Sequence, residues 1–304
     1  MIQGKRSDII EDWMSSQVTT LSGSKSVLEA TRLMKDRGIG SIIVTESGLL
    51  RKGEGKIIGI VTETDIVKKV VAKELPRERT KVIDVMTPKP YIMEANATIM
   101  QASNLFTDHR IKRIPITKKG SLAGIFTVTD LMTALVKLGK LYEIGELVKY
   151  IAKKKIGAKE FGNVVMADKW MSPDIITCTS DQTVLEIAKL MDNYMVGDIV
   201  VMNGEEIEGI VTDTDIVRRV CAENRDPKTS KAIEVMSTPV ISAAPTATLI
   251  EIANMMNEKK IKRVVITNND KLVGLLSVTD LTDALLQLNN FAQAHKIIDM
   301  LYEK

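Results

Sequence analysis

Four copies of one seven-residue phrase constrain this chain more than anything else in it. GIVTETD ends at Asp65, GIFTVTD at Asp130, GIVTDTD at Asp215 and GLLSVTD at Asp280. The intervals are 65, 85 and 65 residues, so Asp65 to Asp215 and Asp130 to Asp280 both measure 150. The chain is therefore a repeat of a repeat, two similar halves of two similar units each. A second marker fixes the frame. Each unit opens on a methionine followed by small or turn residues, at Met14, Met86, Met171 and Met236. From that methionine to the aspartate is 44 residues in units two, three and four, and 51 in unit one. The seven extra residues fit the glycine- and charge-rich stretch over 47–55, a hairpin loop where insertions cost little.

Each unit reads as β-α-β-β-α over about 60 residues. A short extended stretch follows the methionine, as in IITC or VISA, and a helical pattern follows that, as in TVLEIAKLMDNYM. Two apolar runs around a turn then make a hairpin, as in RVVI-TNNDK-LVGLL, and the second run ends in the repeated phrase. A helix continues after the aspartate. A unit this small buries little apolar surface alone. Pairing two units would complete a core, giving an α/β (α+β) chain of two domains. The expected boundaries are 8–140 (units 8–75 and 80–140), a linker over 141–163, 164–292 (units 164–226 and 230–292) and a tail over 293–304. The linker carries Lys149, Lys153, Lys154, Lys155 and Lys159. It reads as a solvated helical connection or, more sharply, as a strip for an acidic partner or nucleic acid.

Composition excludes several classes. The formal net charge of +3 is too mild to announce nucleic-acid binding. Cys178 and Cys221 cannot form a disulfide framework, and no metal-ligand spacing involves them or the two histidines. The N-terminus lacks a signal-peptide core, and no apolar run approaches the ~20 residues that span a bilayer. A cytoplasmic protein with reduced thiols is expected. Two histidines and no nucleophile–base arrangement argue against an enzyme.

The repeated phrase sits where a strand gives way to a helix. Free N–H groups at a helix start attract anions, and a fixed carboxylate suits the paired hydroxyls of a ribose. Ser/Thr-x-x-Asp is also a capping box, which only stabilises the helix start. Thr64, Thr129, Thr214 and Thr279 precede the aspartate in all four units, and a cap does not require them. A further position separates odd from even units. Twenty-seven residues after each marker methionine stand Ser41, Arg113, Asp198 and Arg263, preceded by Gly40, Lys112, Gly197 and Lys262. The Lys-Arg pair recurs only in even units, where it could serve the odd units' ligand phosphates. Lys68, Lys69, Arg218 and Arg219, which follow the odd-unit aspartates, read as a solvated helix face.

Taken together, the opening methionines, the Gly-apolar-apolar-Ser/Thr-x-x-Asp phrase and the basic pair or glycine before the strand resemble the CBS-domain family. The match runs over nearly the whole chain. The resemblance implies that units pair into two Bateman modules. In four-unit relatives such as the gamma subunit of AMP-activated protein kinase and stand-alone archaeal proteins, such modules close into a disc. It implies binding of adenosine-containing ligands, AMP, ADP, ATP or S-adenosylmethionine, with no catalytic cofactor. Asp65, Asp130, Asp215 and Asp280 would bind ribose. Thr62, Thr64, Thr127, Thr129, Thr212, Thr214, Ser277 and Thr279 would assist at the ribose or phosphate. Lys112, Arg113, Lys262, Arg263 and Ser41 would meet phosphate, with Lys112 and Arg113 opposite Asp65 and Lys262 and Arg263 opposite Asp215. Adenine would rest on backbone near Thr19 and Thr20, Tyr91 and Ile92, Ile176 and Thr177, or Ile241 and Ser242. Asp130 would face Gly40 and Ser41 without a basic pair, and Asp280 would face Gly197 and Asp198. His109 is a further candidate phosphate contact.

The expected role is a sensor that changes shape or affinity for a regulated protein. A scaffold with empty sites and a nucleic-acid-associated regulator are the alternatives. Closure of the disc within one chain or in a homodimer stays open at this point.

Overall fold

The computed structural model describes residues 7–46, 56–138 and 165–288. The inserted stretch over 47–55, the linker with its lysines and the tail over 293–304 lie outside the described residues.

Each unit builds one small sheet. A short strand runs parallel to the first hairpin strand, and the second hairpin strand returns antiparallel. In unit one these are Thr20–Ser22, Ser41–Thr45 and Ile57–Thr62. In unit two they are Met93–Glu94, Arg113–Lys118 and Ser121–Thr127. In unit three they are Thr177–Cys178, Asp198–Asn203 and Glu206–Thr212. In unit four they are Ser242–Ala243, Arg263–Asn268 and Lys271–Ser277. Parallel neighbours need a crossover, and a helix supplies it each time: Val27–Arg37, Ile99–His109, Val184–Asn193 and Leu249–Lys259. All four crossover helices begin with a capping box, Ser26/Glu29, Thr98/Gln101, Thr183/Glu186 and Thr248/Glu251. All four leave through a left-handed residue, Gly38, Arg110, Met195 and Lys260.

The expected β-α-β-β-α order holds, with one refinement. After the repeated phrase, even units continue as α-helix, Val128–Lys137 and 278–288. Odd units make a single α-turn, Glu63–Ile66 or Asp213–Ile216. They then widen into a π-helical turn, Val67–Val71 or Val217–Cys221.

The two units of each half exchange their opening segments. Ser15 pairs with Ile125 and Ser172 with Leu275. Conversely, Thr87–Pro88 adds to the unit-one sheet and Ser237 pairs with Ile210. The marker methionines explain themselves here. Met86 packs on Gly59, Met14 on Gly124, Met236 on Gly209 and Met171 on Gly274, so closely that a Cβ on any of these glycines would collide with the methionine side chain. The opening methionine and the glycine of the phrase are two halves of one contact between units.

The cores depart from expectation. Completion of a core inside each half was anticipated, yet the two large apolar clusters each draw on both halves. One joins units one and three, with Met34, Ile42 and Val67 beside Met191, Ile199 and Val217. The other joins units two and four, with Phe106, Ile114 and Leu131 beside Met256, Val264 and Leu281. Crossover helices and π-turns interleave: Lys73 pairs with Asp192 at 2.6 Å and Lys189 with Glu74 at 2.8 Å. Contacts thus run from unit one to two, two to four, four to three and three to one, and close within a single chain. No helix among the described residues is long and apolar enough to cross a membrane.

Candidate functional site

All four repeated phrases form capping boxes. In each, one carboxylate oxygen accepts the backbone N–H and the hydroxyl of the residue three before it, at 2.6–2.9 Å: Thr62 for Asp65, Thr127 for Asp130, Thr212 for Asp215 and Ser277 for Asp280. The cap therefore uses half of each aspartate and leaves Oδ1. In odd units Oδ1 is engaged as well. Asp65 meets Lys69 at 2.7 Å and accepts from Thr87 at 3.5 Å. Asp215 meets Arg219 at 3.4 Å and accepts from Ser237 at 3.0 Å. Lys69 and Arg219 are thus partners of the signature carboxylates rather than only a solvated face. Among the described residues, Oδ1 of Asp130 and of Asp280 has no such partner.

A cleft of about 570 Å³ opens beside Asp215. Thr212, Thr214 and Asp215 line one side, and Ile241, Lys262 and Arg263 of unit four line the other. The structure so brings together the ribose, adenine and phosphate positions expected for this unit pair. Two further wall residues were not expected. Arg218 lines the cleft, and so does Gly38, which belongs to the other half of the chain. Thr177 and Ser242 lie on the short first strands, as do Thr20 and, next to the strand, Ile92. The carbonyls of Thr19, Ile176 and Ile241 accept from the hairpin-strand amides of Ile43, Val200 and Val265 at 3.1–3.2 Å. The matching donor position in unit two is Pro115, which has no N–H, so the Tyr91 carbonyl lacks that bond. His109 stacks on Tyr91 with ring centroids 4.0 Å apart, beside the expected adenine position and not the expected phosphate position.

The variable residue of the phrase is the largest omission of the sequence reading. It is Glu63 in unit one and Asp213 in unit three, but Val128 and Val278 in the even units. Its amide donates to the carbonyl just before the hairpin, Gly40, Lys112, Gly197 or Lys262, at 2.8–3.1 Å. In the odd units its side chain then crosses between the halves. Thr64 donates to Asp213 Oδ2 at 2.6 Å, and Thr214 donates to Glu63 Oε2 at 2.8 Å. This reciprocal pair accounts for the second threonine of the odd phrases. Glu63 is 1% exposed and Asp213 8%. The odd-unit glycines belong to the same arrangement. A Cβ at Gly40 would lie 2.6 Å from Glu63 Oε2 and 3.0 Å from Arg113 Nη2, and one at Gly197 would lie 3.1 Å from Arg263 Nη2.

Four cations surround these acids in a central cavity of about 50 Å³: Lys112, Arg113, Lys262 and Arg263. Thr279 reaches its wall. Burial and Asp213 push the Glu63 carboxyl above the ordinary carboxylate range. Burial also raises Asp213, but Arg263, the Thr64 hydroxyl, Arg113 and Lys262 together hold it below that range. Lys112 and Lys262 sit below the ordinary lysine range, chiefly through burial, then through Arg263 and Arg113 respectively.

Three expectations about the basic pairs need correction. Lys112 and Lys262 are not confined to their own module's cleft. Lys262 acts on Glu63 and Asp213; burial raises the Asp130 carboxyl above its ordinary range, and Lys262 of the other half offsets part of that rise. Lys112 acts on Asp283 beside Asp280. Arg263 is ion-paired to Asp198, so the acid that Asp280 was expected to face is matched by a cation. At the equivalent place unit one has Ser41, which brings no charge to Arg113. Arg218 also reaches across, with its Nε 3.5 Å from Glu63 Oε1, and neither atom has a hydrogen-bond partner among the described residues.

Comparison with known proteins agrees with this architecture. The CBS domain family model matches residues 9–72, 82–137, 165–222 and 232–287. The CBS domain-containing protein CBSCBSPB2 of Arabidopsis thaliana is 24% identical over 285 residues, covering 89% of this chain and 52% of its own length. The chain thus spans about half the length of such curated relatives. YlbB of Bacillus subtilis is 35% identical over 122 residues, 40% of this chain and 78% of its own. Among solved structures, MJ1225 of Methanocaldococcus jannaschii, proposed as an archaeal homologue of γ-AMPK, superposes with a TM-score of 0.69 at 18% identity. That match covers 90% of this chain and 99% of MJ1225. A conserved protein from Pyrococcus horikoshii gives a TM-score of 0.52 at 19% identity, covering 91% and 99%. With four matches that together span well over half its residues, this chain belongs to the CBS-domain family.

Proposed function

We propose that this protein is a regulatory sensor of adenosine-containing ligands, AMP, ADP, ATP or S-adenosylmethionine, that carries out no chemistry of its own. The observation that carries the reading is the Asp215 cleft. A fixed carboxylate stands at a helix start, Ile241 and Val265 offer an apolar wall, and Lys262, Arg263 and Arg218 gather at the other end. A ribose hydroxyl pair fits the first, a purine the second and a phosphate the third. The fold likeness to MJ1225 is consistent with this reading. Regulation follows from geometry. Arg218 lines the cleft and meets Glu63 of the other half, so a ligand that draws on Arg218 alters the contact between halves. A ligand shifts such an equilibrium only by its differential affinity for the two states. The domain limits 8–140 and 164–292, a cytoplasmic location and a regulated protein partner belong to this proposal.

Isothermal titration with the four ligands tests it, on the wild type and on Asp65→Asn/Asp215→Asn, which keeps an acceptor for the caps. Micromolar binding that the double variant loses is the expected outcome. One observation favours a second reading: every signature aspartate already serves as a cap. No heat and no shift in melting temperature with any ligand would leave the chain as a CBS scaffold.

A further inference from the structure

The left-handed residue that ends each crossover helix bears on the clefts. Gly38 and Met195 occupy equivalent positions in units one and three, both at positive φ, 64° and 57°. Glycine adopts that conformation freely, whereas a methionine there is strained. Met195 is also 74% exposed, the highest exposure among the large apolar side chains described as exposed. Its placement therefore costs backbone strain and leaves apolar surface in water, with no core packing in return. A left-handed residue ends all four crossover helices, so it is the exposed thioether at this cap that sets Met195 apart.

The surroundings say what it does. Gly38 lines the Asp215 cleft although it belongs to the other half of the chain, and it does so with Arg218 and Lys260. Met195 likewise reaches the other half. Its Sδ lies 4.0 Å from Nζ of Lys68, the residue that matches Arg218 three positions after Asp65. Gly38 thus stands beside Arg218 in the Asp215 cleft, and Met195 stands beside Lys68, the matching cation of unit one, again across the halves. Beside Arg218 there is no side chain, and beside Lys68 there is a flexible thioether.

We infer that the repeat gives Asp65 a counterpart of the Asp215 cleft and that Met195 and Gly38 set the length of anionic tail each accepts, with Met195 shortening the Asp65 site and Gly38 leaving the Asp215 cleft open to a longer polyphosphate. The inference rests on the sensor reading above.

The test measures adenosine mono-, di- and triphosphate binding by titration calorimetry on the full chain. Asp215→Asn isolates the Asp65 cleft and Asp65→Asn isolates the Asp215 cleft. Met195→Gly, which relieves strain, should raise the triphosphate-to-monophosphate affinity ratio of the Asp65 cleft at least about tenfold, the scale on which a pocket discriminates one or two methylenes. Gly38→Met should lower that ratio at the Asp215 cleft by a similar factor. Gly38→Asn, which tolerates positive φ, separates loss of room from loss of fold: it should shift the ratio less than Gly38→Met does. Ratios unchanged in Met195→Gly and Gly38→Met, with both clefts still binding, would overturn this inference and leave the sensor reading standing. Absence of nucleotide binding in the wild type would overturn both.

Discussion

Thr214→Val keeps the shape of the side chain and deletes the hydroxyl that donates to Glu63 Oε2 at 2.8 Å. Thr64→Val does the same to the 2.6 Å donor on Asp213 Oδ2. Water cannot readily substitute, because Glu63 is 1% exposed and Asp213 8%. A hydrogen bond to a charged group contributes about 1.5–3 kcal/mol, and a buried acceptor left without its donor costs about 1–3 kcal/mol. The two losses should differ. Burial and Asp213 raise the Glu63 pKa, so protonation can partly offset the loss of Thr214. Arg263, the Thr64 hydroxyl, Arg113 and Lys262 hold the Asp213 carboxyl below the ordinary range against its burial, so protonation offsets less there. Thr64→Val should therefore cost about 2–3 kcal/mol and Thr214→Val about 1–2 kcal/mol. Urea unfolding followed by circular dichroism reads both, with coincidence of near- and far-ultraviolet transitions checked first. Losses below about 0.5 kcal/mol, the level of an ordinary surface substitution, would show that the reciprocal pair does not join the halves. A larger loss for Thr214→Val would refute the expected order of the two losses.

Other expected outcomes follow from the same geometry. Asp198→Ala removes the partner of a largely buried Arg263, so the free protein should lose about 3 kcal/mol. Added ATP should then raise its melting temperature more than it raises that of the wild type, as read by differential scanning fluorimetry. Gly59→Ala drives a methyl into the Met86 sulfur and should cost about 1–3 kcal/mol, while Met86→Ala in the same chain should recover part of that loss in thermal melts. Lys112 and Lys262 lie below the ordinary lysine range, chiefly through burial, with Arg113, Arg263, Asp198, Asp213 and Glu63 around them. A phosphate favours their ammonium forms and raises these depressed pKa values. Binding should take up protons in the window between the lowered and ordinary values, and affinity should fall as pH climbs through it. Calorimetry in buffers of different ionisation enthalpy measures that uptake.

What was legible in the sequence was local or repeated. The hairpins, crossover helices and caps come from patterns spanning a few residues, and four copies made them hard to misread. The contacts that cross the chain were less so. The Met86–Gly59 contact joins two markers that had been read as separate, because nothing in either says what it touches. The signal for the central acids was present, since Glu63 and Asp213 alternate with Val128 and Val278. It was passed over because a variable position in a repeated phrase looks unconstrained. The reach of Lys112 and Lys262 toward charges of the other half depends on how the halves pack, a placement only the folded chain displays.

The division of the cores also bears on how the protein comes into being. Met34, Ile42 and Val67 leave the ribosome roughly 150 residues ahead of Met191, Ile199 and Val217, the side chains they are buried against. During that interval the first half can form its hairpins and caps, yet it carries two apolar faces with nothing to cover them. Contacts of such long separation close late and slowly, and exposed apolar surface is what chaperones bind and what aggregates recruit. The first half is thus a client in waiting for as long as translation of the second half takes. A synonymous change that slows elongation between the halves would lower the yield of folded protein without altering a single residue.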